Sequence, residues 1–158
     1  MQGDDKKMEK LKPVSVDVGR VKPLLFGDSY ESRMILDHVI TGRDNVIQMN
    51  HGTVKAGHAL GGDTHDDDEI YYILSGHGRL KLGDDTIEVK QDQVIFIPAG
   101  VFHALDNTGS DEDLKILTFW RNWKSNGAYA ERLRQWGRSF VLVDEPKTEN
   151  PGGDNGNK

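Results

Sequence analysis

Short apolar runs recur along the middle of the chain, separated by clusters of glycine, asparagine and aspartate. Runs of this length bounded by turn residues predict β-strands, and their regular spacing is typical of a sandwich or a closed barrel. The predicted strands cover residues 33–40, 46–50, 53–57, 69–75, 79–82, 86–90, 94–97, 102–106 and 114–122, with a first strand within 13–26. The pattern therefore predicts an all-β domain of about ten strands.

Two of these segments carry finer predictions about burial. Residues 79–90 alternate polar and apolar side chains around a Gly83-Asp84-Asp85 turn, which predicts a hairpin with one face in solvent. Residues 94–97 are apolar throughout. A continuous apolar run predicts a strand that is covered on both faces.

The strand pattern gives way to a helical one after residue 126. Aromatic and apolar side chains recur there at positions i, i+4 and i+7, namely Tyr129, Leu133 and Trp136. Asn126 can act as the N-cap, and Gly137 follows the last turn, as glycine commonly does at helix ends. We expect one short helix over about residues 127–136, packed on the outside of the barrel.

The two ends of the chain differ in composition from its middle. Residues 1–12 are highly charged, and residues 144–158 are polar and rich in glycine, proline and asparagine. Such segments have too few apolar side chains to offset the entropy of ordering. We therefore expect a flexible segment over 1–12 and a disordered tail over 144–158. The residues between them, 13–143, are expected to form a single domain, because 158 residues suit one domain.

Charge and composition exclude several classes of function. The formal net charge of −6 argues against nucleic-acid and anionic-membrane partners, since an acidic surface gains nothing from counterion release. The absence of cysteine excludes a disulfide framework and a thiolate metal site. No apolar run approaches the roughly eighteen residues that span a bilayer, and the first residues lack the apolar core of a signal peptide. We expect a cytoplasmic protein.

Histidine and carboxylate side chains interrupt the apolar pattern on three segments. The residues concerned are Asp63, His65, Glu69 and His103. An unpaired carboxylate inside an apolar barrel is costly, and a divalent cation would neutralise it and fix the imidazoles. Two imidazoles with one carboxylate resemble the set that non-haem iron and related metals use. Taken alone, the acidic run of residues 66–69 would also suit a solvated loop.

The same residues lie in two motifs, which decide between these interpretations. The motifs are Gly57-x5-Asp63-x-His65-x3-Glu69-x6-Gly76 and Asp92-x5-Pro98-x-Gly100-x2-His103-x3-Asn107. They resemble the two signature motifs of the cupin superfamily, Gly-x5-His-x-His-x3/4-Glu-x6-Gly and Gly-x5-Pro-x-Gly-x2-His-x3-Asn. The resemblance covers the middle third of the chain. It implies a double-stranded β-helix, or jelly-roll barrel, and one bound divalent transition metal ion (Fe, Mn, Zn or Ni).

Two positions depart from the family pattern. Asp63 stands where the first histidine ligand is usual, and Asp92 stands where the second motif opens with glycine. If Asp63 is a ligand, two imidazoles and two carboxylates favour harder ions such as Mn²⁺ or Fe²⁺; if it is not, three ligands leave coordination positions open. His58 and His51, just upstream, are alternative ligands. The change at Asp92 is expected to affect only a turn.

Tyr71 is a candidate catalytic residue together with Glu69. The two side chains share one face of a strand, so the Tyr71 hydroxyl is placed to exchange a proton with a bound substrate. The alternative is structural, with the ring filling the barrel and the hydroxyl hydrogen-bonded. Pro98 and Gly100 are interpreted as turn residues that direct His103 inward, and the side chain of Asn107 is expected to close the following turn.

The resemblance implies a small-molecule enzyme. We expect isomerase, epimerase or lyase chemistry on a sugar or keto acid, with a non-haem iron dioxygenase or a non-catalytic binding protein as alternatives. The apolar spacing of Val14, Val16, Val18 and Val21 suits strand exchange, and we expect a homodimer.

Overall fold

The computed structural model describes residues 13–122 and 127–145. The predicted flexible segment 1–12 lies outside these residues, as does the predicted tail apart from Asp144 and Glu145. Asp144 accepts a hydrogen bond from Arg20 at 2.6 Å, and Glu145 pairs with Arg138. The predicted limits of the domain, residues 13 and 143, stay a prediction.

Within the described residues the chain forms nine strands, two α-helices and one turn of 3-10 helix at Val18–Arg20. The strands are β1 Leu24–Phe26, β2 Tyr30–Leu36, β3 Gln48–Val54, β4 Glu69–Ser75, β5 His77–Leu82, β6 Asp85–Lys90, β7 Val94–Ile97, β8 His103–Asp106 and β9 Leu114–Trp120. The helices are α1 His38–Thr41 and α2 Gly127–Trp136. None of these helices is long and apolar enough to cross a membrane.

The strands form two antiparallel sheets. The larger has the order β1-β2-β3-β9-β4-β7, and the smaller has the order β6-β5-β8. Their apolar faces meet in one core, whose most buried members include Ile73, Leu80, Ile97, Leu105, Leu114 and Ile116. The prediction of an all-β jelly-roll barrel with one short C-terminal helix is confirmed.

Two strand predictions are wrong in their limits. Residues 46–50 and 53–57 were expected as separate strands, but Gly52 pairs with Ser32 on one side and Ile116 on the other, so β3 runs through it. The strand predicted over 33–40 ends at Leu36, because the Asp37 carboxylate accepts a hydrogen bond from the Ile40 amide and caps α1.

The prediction that residues 94–97 are covered on both faces is also wrong. Ile95 and Ile97 point into the core, but Val94 and Phe96 are 64% and 57% exposed. The reason is topological, since β7 is an edge strand of the larger sheet and only one face of that sheet meets the smaller one. The 79–90 hairpin is confirmed, with β5 and β6 paired across the predicted turn.

Helix α2 spans the residues that the pattern predicted. Gly137 ends it with a left-handed φ of 72°, and its amide donates to the Leu133 carbonyl. The proposed N-cap, Asn126, lies outside the described residues. Tyr129 and Arg132 are the buried side chains of α2; the burial of Arg132 was not predicted.

Asn107 closes the turn after β8, as predicted. Its Nδ2 donates to the carbonyls of Val54, Lys55 and Glu112 at 3.3, 3.2 and 2.8 Å. The side chain is 1% exposed, so water cannot replace it. The single amide therefore ties the end of β3 to the loop that leads into β9.

Removing this amide is expected to lower the free energy of unfolding. Asn107→Ala removes the donor to three carbonyls, of which that of Val54 is buried, and should cost about 2 kcal/mol. Urea unfolding measures the change, with Asn45→Ala in an exposed turn as the control. Equal unfolding midpoints for the two variants would show that the carbonyls find other partners.

Candidate metal centre

Three candidate ligands come from segments that belong to different sheets. Glu69 begins β4 of the larger sheet, His103 begins β8 of the smaller sheet, and His65 lies in the loop before β4. This loop pairs with the start of β8, because the amides and carbonyls of Asp63 and His103 exchange two hydrogen bonds of 3.0 Å. The Gly100 amide donates to the His65 carbonyl at 2.8 Å. Backbone bonds thus bring the ligands together.

Acidic residues beside His65 hold the loop in place. The Asp67 carboxylate accepts hydrogen bonds from the amides of Arg121 and Asn122, and the Asp68 carboxylate accepts one from Ala99. The acidic run is therefore not simply a solvated loop. The side chains of Asp67 and Asp68 fix the backbone that carries His65.

The three side chains converge on one point. Glu69 Oε2 lies 3.0 Å from His65 Nε2 and 3.2 Å from His103 Nε2. One ligand atom from each residue lies within 4.8 Å of the other two. Glu69 and His103 are 7% and 5% exposed, whereas His65 is partly exposed at the cavity edge. A cluster of this composition and size can hold a metal ion.

The other ring nitrogen of each histidine is held by a backbone carbonyl. His65 Nδ1 lies 2.8 Å from the Asp67 carbonyl, and His103 Nδ1 lies 3.0 Å from the Val101 carbonyl. A carbonyl only accepts, so both Nδ1 atoms carry hydrogen. In the neutral ring this leaves the Nε2 lone pair facing Glu69, which is the arrangement that metal-bound histidines adopt. The donor set fits a divalent transition metal.

The charges of the three residues are coupled. The hydrogen bond to Glu69 raises the pKa of His65 above its ordinary value, against the effect of burial. Burial would lower the pKa of His103, but hydrogen bonds to Glu69 and Val101 reverse this and raise it. Burial would raise the pKa of Glu69, yet the two histidines hold it below its ordinary value. Protons bound to His65 and His103 thus stabilise the cluster when no metal is bound.

These shifts predict how the stability of the metal-free protein depends on pH. The raised histidine pKa values add stability that is complete below 6.5 and is lost as pH rises through the folded values. The lowered pKa of Glu69 adds stability above 4.5 that is lost as pH falls through its folded value. Thermal unfolding of chelator-treated protein should therefore show a maximum between these limits.

Bound metal should reverse the loss of stability at higher pH, because the ligands must release their protons to bind the ion. The rise in unfolding temperature on adding Mn²⁺ should grow from pH 5.5 to 7.5. A metal-induced rise that is the same at both pH values would show that His65 and His103 do not exchange protons for metal.

Asp63 lies beside the cluster but not in it. Its carboxylate is exposed and accepts a hydrogen bond from the Thr64 amide at 2.7 Å, although the residue lines the same cavity. His58 is exposed and bonds to the Ala56 carbonyl, and His51 does not line the cavity. Of the suggested fourth ligands only Asp63 is adjacent, and its role stays a prediction.

Asp92 shows why the family pattern has glycine at its position. It is the one non-glycine residue with a positive φ among the described residues, at 64°. Its carboxylate accepts a hydrogen bond from the Tyr72 hydroxyl at 2.7 Å. The departure therefore affects a turn on the outer surface.

A cavity of about 410 Å³ opens beside the cluster. Its walls are formed by both sheets and the start of α2, and include Phe26, Ser29, Tyr30, Leu60, Tyr71 and Leu105. Tyr71 is 5% exposed, and its ring lies edge-on to His103 with centroids 5.9 Å apart. Burial, with Glu69 adding to it, raises the pKa of Tyr71 well above 10, so the hydroxyl keeps its proton.

The Tyr71 hydroxyl makes no hydrogen bond to any residue in the described ranges. The ring packs in the core, as the structural alternative expects, but the hydroxyl lacks the hydrogen bond that this alternative also expects. The position beside His103 in the cavity wall is therefore compatible with a role toward substrate.

Tyr30 is a cavity residue that sequence reasoning missed. It begins β2, and its hydroxyl oxygen lies 3.3 Å from Asn50 Nδ2. The available signal was the alternation of Tyr30, Ser32 and Met34, which places these side chains on one face of the strand. All three side chains are buried, which makes this face part of the interior.

Comparison with known proteins agrees with the fold. The profile of the family described as "Cupin domain" matches residues 50–120. An uncharacterized protein of Streptomyces coelicolor, SCO3923, is 36% identical over 75 residues, which are 48% of this chain and 70% of that protein. The chain therefore belongs to the cupin superfamily.

Solved structures with this fold carry varied descriptions. One is described as a predicted oxalate decarboxylase from Thermotoga maritima, with a TM-score of 0.61, 22% identity, and coverage of 68% of this chain and 98% of that one. Another is the polyketide cyclase RemF from Streptomyces resistomycificus, with a TM-score of 0.62, 23% identity, and coverage of 70% and 80%. At this identity the likeness shows the fold alone.

Proposed function

We propose that the protein is a metal-dependent enzyme that acts on a small polar metabolite, a sugar or a keto acid, by isomerisation, epimerisation or lyase chemistry. The observation that carries the proposal is the convergence of His65 Nε2 and His103 Nε2 on Glu69 Oε2. A bound ion would polarise a carbonyl or hydroxyl oxygen of the substrate and stabilise charge that develops on it.

The chain's own residues supply the remaining requirements. Glu69 gives the buried negative charge that binds the ion, and the carbonyls of Asp67 and Val101 fix the two imidazoles. The cavity has the size of a small-molecule site, and both sheets contribute residues to its walls. Tyr71 presents its hydroxyl as a proton donor beside His103.

The proposal is tested by loading the purified protein with Mn²⁺, Fe²⁺, Zn²⁺ or Ni²⁺ and incubating it with sugars and keto acids. Product is detected by NMR, and Tyr71→Phe and Glu69→Gln serve as inactive comparisons. Because the Thermotoga relative in fold is described as a predicted oxalate decarboxylase, small carboxylic acids belong in the panel. Stoichiometric metal without any product would count against an enzyme and favour a binding protein.

A dioxygenase is the second candidate. It is supported by the three-residue cluster, from which the Asp63 carboxylate stands apart, so that several coordination positions stay open to substrate and O₂. Oxygen consumption by the Fe²⁺-loaded protein on adding substrate would favour this candidate. Turnover without oxygen would favour the first.

We also propose a homodimer that forms through the N-terminal segment. Val14 is 45% exposed and available for such a contact, whereas Val21 is buried in its own chain, where it pairs with Leu142. Light scattering of the full chain measures the mass. A monomer at micromolar concentration would contradict the proposal.

A further inference from the structure

A polar network lies buried behind the cavity wall, between β2, β3 and α2. Its members Ser32, Asn50 and Arg132 are 2%, 4% and 0% exposed. Arg132 Nη2 donates to Ser32 Oγ at 2.5 Å and to Asn50 Oδ1 at 3.1 Å. Asn50 Nδ2 in turn donates to the Tyr30 hydroxyl oxygen. The network links a buried guanidinium to a side chain that lines the cavity.

Arginine sets the direction of the hydrogen bonds in this network. A guanidinium only donates, so Asn50 must turn its Oδ1 toward Arg132. Ser32 donates to the same Oδ1 at 2.7 Å, which reinforces this orientation. The Nδ2 of Asn50 also only donates, and it faces Tyr30, so the Tyr30 oxygen must accept. The hydrogen of the Tyr30 hydroxyl is then left for another acceptor.

Tyr30 lines the cavity, where a bound ligand can accept this hydrogen bond. Asn50 is its one hydrogen-bond partner within 3.5 Å among the described residues, and the neighbouring Ser32 hydroxyl, which interacts with Tyr30 more weakly, already bonds to Asn50 and Arg132. The hydroxyl packs directly against the backbone of Gly52, since a Cβ at that position would come within 2.4 Å of the Tyr30 oxygen. Burial raises the pKa of Tyr30 to about 12, and the hydroxyl keeps its proton at neutral pH.

The charge of Arg132 is not neutralised by a carboxylate in contact with it. No ion pair joins Arg132 to a carboxylate in residues 13–122 and 127–145, and its Nε and Nη1 have no hydrogen-bond partner there. Burial lowers the pKa of Arg132 to about 10, although the charge of the buried Asp37 acts in the opposite direction, and Arg132 stays charged at neutral pH. A buried positive charge behind the wall favours a negatively charged ligand in front of it.

We propose that Tyr30 donates a hydrogen bond to a negatively charged oxygen of the substrate, and that Asn50 and Arg132 are positioning residues that set the direction of this bond. The inference rests on the proposed function and narrows its substrate class. Small carboxylic acids, including keto acids, are preferred over neutral sugars.

The first test measures binding by calorimetry, with pyruvate and its neutral amide, pyruvamide, as matched probes. Both the metal-loaded and the metal-free protein are titrated. Wild type should bind pyruvate more tightly than pyruvamide, and Tyr30→Phe should weaken pyruvate binding by about 10-fold or more, as expected for a bond to a charged group. Tyr72→Phe, which removes an outward-facing hydroxyl, is the control.

The second test reverses the direction of the bond to Tyr30. Asn50→Asp keeps the acceptor for Arg132 but replaces the donor toward Tyr30 with an acceptor, so Tyr30 should donate to it instead of to the ligand. Unfolding temperature should not fall, since Arg132 gains a carboxylate partner. The added charge also repels pyruvate, so the substitution is repeated in the Tyr30→Phe background, where only the charge effect remains.

The outcomes separate the inference from the proposed function. A smaller effect of Asn50→Asp in the Tyr30→Phe background supports the relay, and an equal effect in both backgrounds overturns it. Metal uptake with unchanged pyruvate binding by Tyr30→Phe overturns the inference and leaves the proposed function standing. Absence of metal uptake by wild type contradicts the proposed function, while the metal-free titrations still decide the role of Tyr30. Absence of pyruvate binding in either form overturns the inference.

Discussion

Replacing Glu69 with glutamine is expected to lower the affinity for a divalent metal by more than about 100-fold. Loss of a residue that merely orients a ligand costs about 10- to 100-fold in metal affinity, and loss of a ligand itself should exceed this. Glutamine has the size of glutamate, so the cavity should keep its shape. It removes the carboxylate on which His65 and His103 converge.

The loss should be visible in stability as well as in metal content. Ligands from both sheets meet at the cluster, so bound metal would hold the two sheets together and add about 2.7 kcal/mol at 100 times its dissociation constant. Glu69→Gln should lose most of this increment at the same metal concentration. Elemental analysis and thermal unfolding with and without Mn²⁺ measure the two effects.

Glu88→Gln provides the matched control for this experiment. Glu88 is an exposed carboxylate on β6, and the same substitution there should change neither metal content nor the metal-induced rise in unfolding temperature. Undiminished metal binding by Glu69→Gln would show that the ion is held elsewhere. Asp63 would then be the next carboxylate to replace.

The spacing of the candidate ligands along the sequence encodes much of the geometry of the cluster. His65, Glu69 and His103 lie next to turn and strand signals that fix which way each segment faces, and the structure brings the three together. Asp63 could not be decided in the same way. Its side chain leaves the cluster for the Thr64 amide, and such a local hydrogen bond competes with ligation without leaving any signal in spacing.

Burial by tertiary contacts explains most of what the sequence did not predict. Arg132 occupies a helical position that would suit an exposed cation, and only the packing of α2 over Ser32 and Asn50 makes it fully buried. Phe96 gives the opposite case. An apolar run indicates that a strand could be covered on both faces. Whether a second layer of structure covers the outer face depends on the strand order of the sheet, which places β7 at an edge.

Gly76→Ala is expected to lower the free energy of unfolding by about 3–4 kcal/mol, the largest effect that we expect from a single methyl group in this chain. Gly76 joins β4 of the larger sheet to β5 of the smaller sheet, with a left-handed φ of 82°. A residue with a side chain is strained there by about 1–3 kcal/mol. A Cβ would also lie 2.5 Å from the Asp113 carbonyl oxygen and 3.1 Å from Leu114 Cα, and backbone atoms cannot easily give way.

Gly83→Ala separates the two causes of this effect. Gly83 has a φ of 58° in the β5–β6 turn, but a Cβ there would meet nothing within 4 Å, so only the backbone strain applies and the cost should be about 1 kcal/mol. Urea unfolding of both variants measures the difference, which reports the contact with Asp113. Equal losses in the two variants would show that the loop before β9 moves aside, and that the sheet crossing at Gly76 requires glycine for its φ alone.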